Sequence, residues 1–259
     1  MSHMFEAPPA DTEYNQRIES DPEFPKARVR TKVVNAVGIG TLLLPLCKFV
    51  LGGLSPTGLF LQVLVVVSIA VVPASILLVA TSRGLVWYNV RTTVPNPSPF
   101  FGIFIAGLSL AVAGVTNSFV SYGQLFLWPL PVAVVIWLAM IFTTGEFKSY
   151  TRLDIGNMGA ILFICYVFSF GAFTNSNCVF DTKKPTVFPT AITEKETIKN
   201  KDHEKSYFVI FTPVAGLEDT KTEVHASFYD AVEVGDTIRF NLKAGVWGMP
   251  WYHLELKEQ

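Results

Sequence analysis

Side chains that could bind a metal or act as nucleophiles are few in this chain of 259 residues. The candidate soft ligands outside the apolar segments are Cys178, His203, His225 and His253. They share none of the spacings typical of zinc sites, so we interpret the histidines as surface residues. The sequence has no GxSxG, no HExxH and no phosphate-binding glycine loop followed by lysine. It therefore predicts a protein that is not an enzyme and carries no cofactor or metal.

A second set of side chains favours protein binding. His225, Arg239, Trp251 and His253 lie at outward-facing positions of segments in which apolar and polar residues alternate. Because Trp and Arg are preferred anchors of protein interfaces, we expect these side chains to share a partner-binding surface. The alternative is that Trp247 and Trp251 rest on a membrane surface or cap a β domain.

The composition points to a membrane. Hydrophobic residues make up 50% of the sequence and charged residues only 16%, against roughly 25% in soluble domains. From Val33 to Gly145 the charged side chains are Lys48, Arg83 and Arg91 alone. Water does not solvate so much apolar surface, so we expect the lipid bilayer to be a partner. The net charge of −1 predicts no nucleic-acid partner.

Apolar segments close to the ~20 residues that cross a bilayer recur along the chain. The predicted spans are 33–51, 57–80, 100–116, 125–142 and 158–173. The fold class is therefore an α-helical transmembrane bundle of about five spans within 33–177, plus a C-terminal all-β domain at 178–259. The acidic, proline-containing tail at 1–32 is expected to be mostly disordered, with its basic end at the lipid headgroups.

Lysine and arginine predict the orientation. Residues 17–32, 83–91 and 148–152 carry them, whereas the turns at 52–56 and 117–124 carry none. By the positive-inside rule the first group is cytoplasmic. With five spans, the N-terminus is then cytoplasmic and the β domain is extracytoplasmic, which is the periplasm in a Gram-negative cell.

Beyond Cys178 the apolar residues recur with a period of two. Segments 223–228, 237–243 and 251–256 predict half-buried strands, and 207–211 predicts a central strand because it is apolar on both faces. Short strands at this spacing are typical of a small barrel or sandwich of the SH3 or OB kind.

The last of these strands belong to a longer motif, VGD at 234–236 followed by GxxGxPWY at 245–252. Gly245 and Gly248 permit positive φ in a bend that returns Trp251 across the sheet. The motif and the layout of spans resemble multi-pass bacterial inner-membrane proteins of unknown function that have a small C-terminal β domain. The resemblance implies membrane topology and a bacterial source, and it implies no activity.

Two features of the spans predict packing. Lys48 lies near the outer end of the first span, where we expect its side chain to extend to the headgroups, the alternative being a pore lining. Small residues recur in the third span, and we expect them to allow close helix packing within the bundle or, alternatively, in a homo-oligomer. They are Gly102, Ala106, Gly107, Ala111 and Gly114.

The remaining polar and sulfur side chains predict little chemistry. Asp154 and Asp181 are expected to be isolated and solvated. Cys47 and Cys178 both approach the outer, oxidising side, so they are either bridged or two free thiols. Cys165 is expected to act as a small apolar residue inside its helix.

Together these features favour a non-enzymatic, membrane-anchored protein whose external β domain binds another protein. Immunity proteins against envelope-acting toxins and accessory subunits of envelope complexes have this layout, which is an analogy of architecture. The alternative is a small transporter or channel component. Its polar lining would be Gln62, Asn117, Tyr122, Gln124 and Asn157.

Overall fold

The computed structural model describes residues 19–50, 58–88, 96–144, 152–199, 205–214, 217 and 220–256. Within them, a helical part is joined to an antiparallel sheet, which confirms the predicted combination of a helical part and a β domain. Several sequence predictions fall outside the described residues. They concern residues 1–18, the turn at 52–56, Arg91, residues 148–151, the side chain of Asp154 and His203.

Each predicted apolar segment forms helix. The helices are α1 Phe24–Gly40, α2 Leu43–Val50, α3 Leu59–Thr81, α4 Phe100–Val115, α5 Tyr122–Leu127, α6 Pro129–Thr143 and α7 Arg152–Val179. Among the described residues, four stretches are long and apolar enough to cross a membrane. These are Phe24–Lys48, Leu59–Thr81, Tyr122–Thr143 and Gly156–Val179. Helix α4, with 16 residues, is shorter.

The first helix begins nearer the N-terminus than the apolar pattern predicts. It starts at Phe24, so the basic residues of 26–32 lie on a helix and the prediction of a mostly disordered tail up to residue 32 is wrong there.

The helix is interrupted between α1 and α2. Pro45 has no N–H for the carbonyl of Thr41, which instead accepts from the N–H of Leu44 at 2.9 Å.

The small residues of α4 allow its neighbours to approach closely. A Cβ at Gly102 would lie 2.9 Å from Asn35 Cα on α1, and one at Gly107 would lie 3.3 Å from Phe168 Cβ on α7. Helix α4 contacts α1, α2, α3 and α7. The prediction of close packing within the bundle is therefore confirmed, and the stripe of small residues is occupied by the chain itself.

The sheet contains six strands within the described residues, in the order β1-β6-β5-β2-β3-β4. They are β1 Ser118–Phe119, β2 Thr186–Lys199, β3 Lys205–Phe211, β4 Lys221–Val224, β5 Thr237–Lys243 and β6 Trp251–Leu256. The sheet curls into a nearly closed barrel. The hydroxyls of Thr222 on β4 and Tyr252 on β6 are hydrogen-bonded at 2.8 Å, which brings these strands together across the interior. The barrel is confirmed, while an SH3 or OB relationship stays a prediction.

Strand β2 was not predicted from the sequence. It pairs with β5 through Thr186–Ala191 and with β3 through Ile192–Lys199, and a bulge between Ile192 and Glu194 separates the two halves. Its residues therefore change neighbours halfway along, and Pro189 interrupts the alternation. A strand that contributes to both halves of a barrel leaves no single period in the sequence.

The predicted strand at 223–228 is only half correct. Strand β4 ends at Val224, and a short helix, α8, follows at Ala226–Asp230. The side chain of His225 accepts from the N–H of Ser227, and its carbonyl accepts from Tyr229 at 3.0 Å. This capping turns the chain into a helix, from which Phe228 and Tyr229 still pack on the barrel core.

Candidate functional site at the junction of helices and barrel

Near the C-terminus of α7, the unbroken polar run Thr174-Asn175-Ser176-Asn177 follows the largely apolar segment 158–173. All of these side chains are buried. A buried polar group without a hydrogen bond costs roughly 1–3 kcal/mol, so such a run requires partners. The partners come from the other helices and from the bend at 244–250, and we call this contact region the junction.

Asn177 holds the bend between β5 and β6. Its Nδ2 donates to the carbonyl of Met249 at 2.8 Å, and its Oδ1 accepts from the N–H of Trp247 at 3.0 Å. The indole Nε1 of Trp247 donates to Ser176 Oγ at 2.8 Å. Gly245 and Gly248 have φ of 73° and 74°, which confirms the prediction from the motif.

Asp181 joins the end of α7 to the same bend. Its Oδ2 accepts from the N–H of Gly245 at 2.9 Å and from Trp251 Nε1 at 3.1 Å. Its backbone carbonyl accepts from Lys243 Nζ at 2.9 Å. The residue is buried, so the prediction of a solvated carboxylate is wrong. Two N–H groups, the backbone N–H of Gly245 in the bend and the indole N–H of Trp251 on β6, replace the water that burial removes from the carboxylate.

Lys48 connects the helix ends. Its ammonium donates to the carbonyl of Ala113 at 2.9 Å, to Asn117 Oδ1 at 3.1 Å and to Asn175 Oδ1 at 2.9 Å. All of its donors are therefore used inside the protein, and the prediction that it extends to the headgroups is wrong. Asn175 Nδ2 in turn donates to the carbonyls of Leu110 and Gly171 at 2.6 and 2.7 Å. The network links α2, α4 and α7.

Trp251 belongs to the junction and not to an exposed patch. It is 2% exposed and packs with Phe119, Leu125, Cys178 and Met249. Tyr252 and Leu254 of β6 pack on the barrel core as predicted, whereas Leu256 is exposed and the other face of the strand is covered at Trp251 by β1 and the end of α7. The expectation that Trp251 is an exposed anchor is therefore wrong, and it caps the barrel against the helices.

The other predicted patch residues are only partly brought together. Arg239 lies opposite Glu255, and Asn241, which is only 2% exposed, lies opposite His253 on the same face of β5 and β6. We call these four residues the outer strip. His253 Nε2 is 3.0 Å from Glu255 Oε1. His225 lies at the start of α8, outside the strip, and partner binding by any of these residues stays a prediction.

Hydrogen bonding is complete at Asn177 and Asp181 but incomplete along the outer strip. Within the described part of the chain, buried nitrogens without a hydrogen-bond partner include Asn241 Nδ2 and His253 Nδ1. Asn117 Nδ2 is a third, beside the short strand β1. Buried polar atoms of this kind are uncommon in folded proteins.

No protein-family model, curated protein or solved structure matches this chain. The resemblance of the motif at 234–252 to bacterial membrane proteins therefore stays a prediction.

Sequence reasoning did not identify Asn175 and Asn177, and it placed Lys48 and Asp181, the other main junction residues, in contact with headgroups and solvent. The polar run at 174–177 was the available signal, because four polar residues at the end of an apolar helix require buried partners.

The cysteines are free. Cys178 is fully buried beside Trp251, whereas Cys47 is half-buried against the helical core. The alternative of a bridge between them is therefore not realised. Cys165 is buried with its Sγ 3.6 Å from Met140 Sδ, as expected of an apolar residue.

The residues of the transporter alternative do not form one lining. Gln62 Nε2 donates to the carbonyl of Val179 at 3.3 Å, and Asn117 binds Lys48. Tyr122 and Gln124 are exposed on α5, and Asn157 is near the opposite end of α7.

Proposed function

We propose that this protein is a non-catalytic, multi-pass protein of a bacterial inner membrane whose external β-barrel binds another protein. Its N-terminus is cytoplasmic, its barrel is periplasmic, and the bilayer is crossed five times, by α1 with α2, by α3, by α4, by α5 with α6, and by α7. A toxin for which this is the immunity protein, or an envelope complex of which it is an accessory subunit, would supply the partner.

The exposed faces of the helices support membrane insertion. Phe142 on α6 is 81% exposed and Phe163 on α7 is 66% exposed. Large apolar side chains at this exposure, on helices of the length that crosses a bilayer, are stable in lipid and costly in water. Helix α4 lies among the other helices, so its shorter length still fits a bundle that spans the membrane.

The distribution of charge supports the orientation. The exposed basic side chains of α1 and Arg83, which follows α3, lie at the end of the bundle opposite the junction. At the junction end the ammonium of Lys48 is hydrogen-bonded by oxygens inside the protein and does not extend to the headgroups. The positive-inside rule then places the barrel outside.

The observation that carries the binding proposal is the contrast between the junction and the outer strip. Hydrogen bonds of Asn177 and Asp181 fix the barrel to the helices, whereas on the outer strip the side chains of His253 and Glu255 are 31% and 53% exposed. A surface held in one orientation loses less freedom on binding than a mobile one. The barrel is therefore suited to presenting the outer strip to a partner.

Topology is tested with reporter fusions. Alkaline phosphatase fused after Gln259 is expected to be active, and a fluorescent protein that matures only in the cytoplasm is expected to stay dark there. The matched control is a fusion after Thr143, at the end of α6, where the two reporters should behave in the opposite way. Fluorescence from the Gln259 fusion would contradict the proposed orientation.

Binding is tested by photo-crosslinking in intact cells. A photoreactive amino acid at Val187, which is exposed on β2 beside the strip, should yield a discrete adduct heavier than 28.6 kDa. The adduct should be lost on Arg239→Ala, and the same amino acid at Val234 should give none. An adduct unchanged by Arg239→Ala would contradict binding through the outer strip.

A further inference from the structure

We infer that the barrel also contacts the lipid bilayer directly, through residues 244–248 of the bend, with Trp247 in the headgroup region beside α7. This inference rests on the membrane insertion proposed above. It assigns a second surface of the barrel, distinct from the outer strip, to a lipid partner.

Two pairs of contacting aromatic rings, which we call the aromatic row, connect the helices to this bend. Phe126 stacks on Phe170 with ring centroids 5.5 Å apart, and Phe173 contacts Trp247 with centroids 5.6 Å apart. Phe170 and Phe173 are three residues apart on α7 and therefore lie on the same face of the helix. Trp247 thus continues, on the barrel, an aromatic row that begins on α5.

The rings at both ends of the aromatic row, Phe126 and Trp247, are about half exposed. Phe126 lies in one of the stretches able to span a membrane and is half exposed, as is its neighbour Trp128. Trp247 is 47% exposed, and Val246 beside it is 45% exposed. The apolar surface of the helices is therefore continuous with that of the bend.

Trp247 lies level with the end of the predicted fifth span, 158–173. The apolar run of α7 ends at Phe173, which Trp247 contacts, and the polar run begins at Thr174. The indole Nε1 is satisfied by Ser176 Oγ at 2.8 Å, so the ring can lie in an interface without an unpaired donor. Tryptophan is enriched at this depth because one part of the ring is apolar and the other polar.

The two turns that flank β5 differ in chemistry. Residues 244–248 of the bend have the sequence Ala-Gly-Val-Trp-Gly and carry no charge. The turn at 232–236, about 23 Å away along a strand of seven residues at ~3.3 Å each, contains Glu233 and Asp236. An uncharged aromatic bend suits the headgroup region, and an acidic turn suits water.

Site-directed nitroxide labelling tests the inference in lipid nanodiscs of the full chain. Labels are placed by Val246→Cys in the bend, Val234→Cys in the acidic turn and Phe163→Cys in the middle of α7. Val246 and Val234 are matched, because both are valines in turns at the ends of β5 and are 45% and 61% exposed. The unsubstituted protein, treated in the same way, gives the background from the native cysteines. Power saturation with oxygen, which concentrates in lipid, and with a water-soluble nickel chelate reports the surroundings of each label.

The collision frequency with the nickel chelate is expected to be at least ~5-fold lower for the label at 246 than for the label at 234. The oxygen accessibility of the label at 246 is expected to lie between the accessibilities of the labels at 234 and 163. Equal nickel accessibility at 246 and 234, with oxygen dominant at 163, would overturn the lipid contact while leaving membrane insertion intact. Low accessibility of 246 to both reagents would mean that protein covers the bend, and would also overturn it. Nickel accessibility at 163 would overturn membrane insertion and the lipid contact together.

Discussion

The indole Nε1 of Trp251 donates to Asp181 Oδ2 at 3.1 Å, although the residues are 70 positions apart in the sequence. Trp251 is the first residue of β6, and Asp181 lies two residues after the end of α7. The same carboxylate oxygen accepts from the N–H of Gly245 at 2.9 Å. This single buried group therefore joins the end of a helix, a bend and the start of a strand.

Asp181→Asn is expected to lower the free energy of unfolding by ~1–3 kcal/mol. An amide has a single acceptor oxygen, so the side chain can no longer accept both from the N–H of Lys183, which is 3.0 Å from Oδ1, and from the N–H groups of Gly245 and Trp251. The measurement is thermal unfolding of the purified protein followed by tryptophan fluorescence. Asp230→Asn, at an exposed position of α8, serves as the control and should change stability by less than ~0.5 kcal/mol. Equal effects of the two substitutions would contradict the role of Asp181.

Gly245→Ala and Gly248→Ala form a matched pair, because their φ angles are 73° and 74°. Both substitutions introduce backbone strain of roughly 1–2 kcal/mol. A Cβ at Gly245 would also collide with the amide of Asn177 and the carbonyl of Met249, whereas one at Gly248 meets open space. Gly245→Ala is therefore expected to be the more destabilising in chemical denaturation. Equal midpoints would mean that the bend is not packed against Asn177.

Lys48→Met is expected to destabilise the protein by ~1–3 kcal/mol, because it removes the donor to the side-chain oxygens of Asn117 and Asn175. The control is Lys26→Met on α1, whose side chain is 62% exposed and pairs only with Glu23 among the described residues. That change should cost little, since exposed pairs contribute ~0–1 kcal/mol. Unfolding temperatures in one detergent provide the comparison, and a Lys48→Met protein as stable as the control would refute the buried network.

Cys178 is expected to resist a membrane-impermeant maleimide in intact cells, both with and without prior reduction, because it is fully buried. After denaturation without reductant, Cys47, Cys165 and Cys178 should all be alkylated, since all are free thiols. Intact mass measures the number of adducts. A protein that gains two adducts only after reduction would contain the bridge that the structure lacks.

Local pattern was sufficient to predict the helices and several strands. Apolar runs of about 20 residues form helices because the pattern is continuous along each one, and the alternation in 237–243 and 251–256 requires one buried face. The positive φ of Gly245 and Gly248 also followed from the motif, because only glycine adopts such a bend at little cost. Each of these predictions depends on neighbours within a few residues.

The burial of Trp251, Asp181 and Lys48 was decided by tertiary structure alone. The sequence shows that Trp251 and His253 point to the same side of β6, but it does not show that the end of α7 and the strand β1, from a distant loop, cover the first of them. Likewise the polar run at 174–177 indicates that buried hydrogen-bond partners must exist, but it does not show which residues they are. The partner of a side chain that lies far away in the sequence is determined by how the whole chain packs. Such packing produces no periodic pattern in the sequence, so it could not be predicted from the sequence alone.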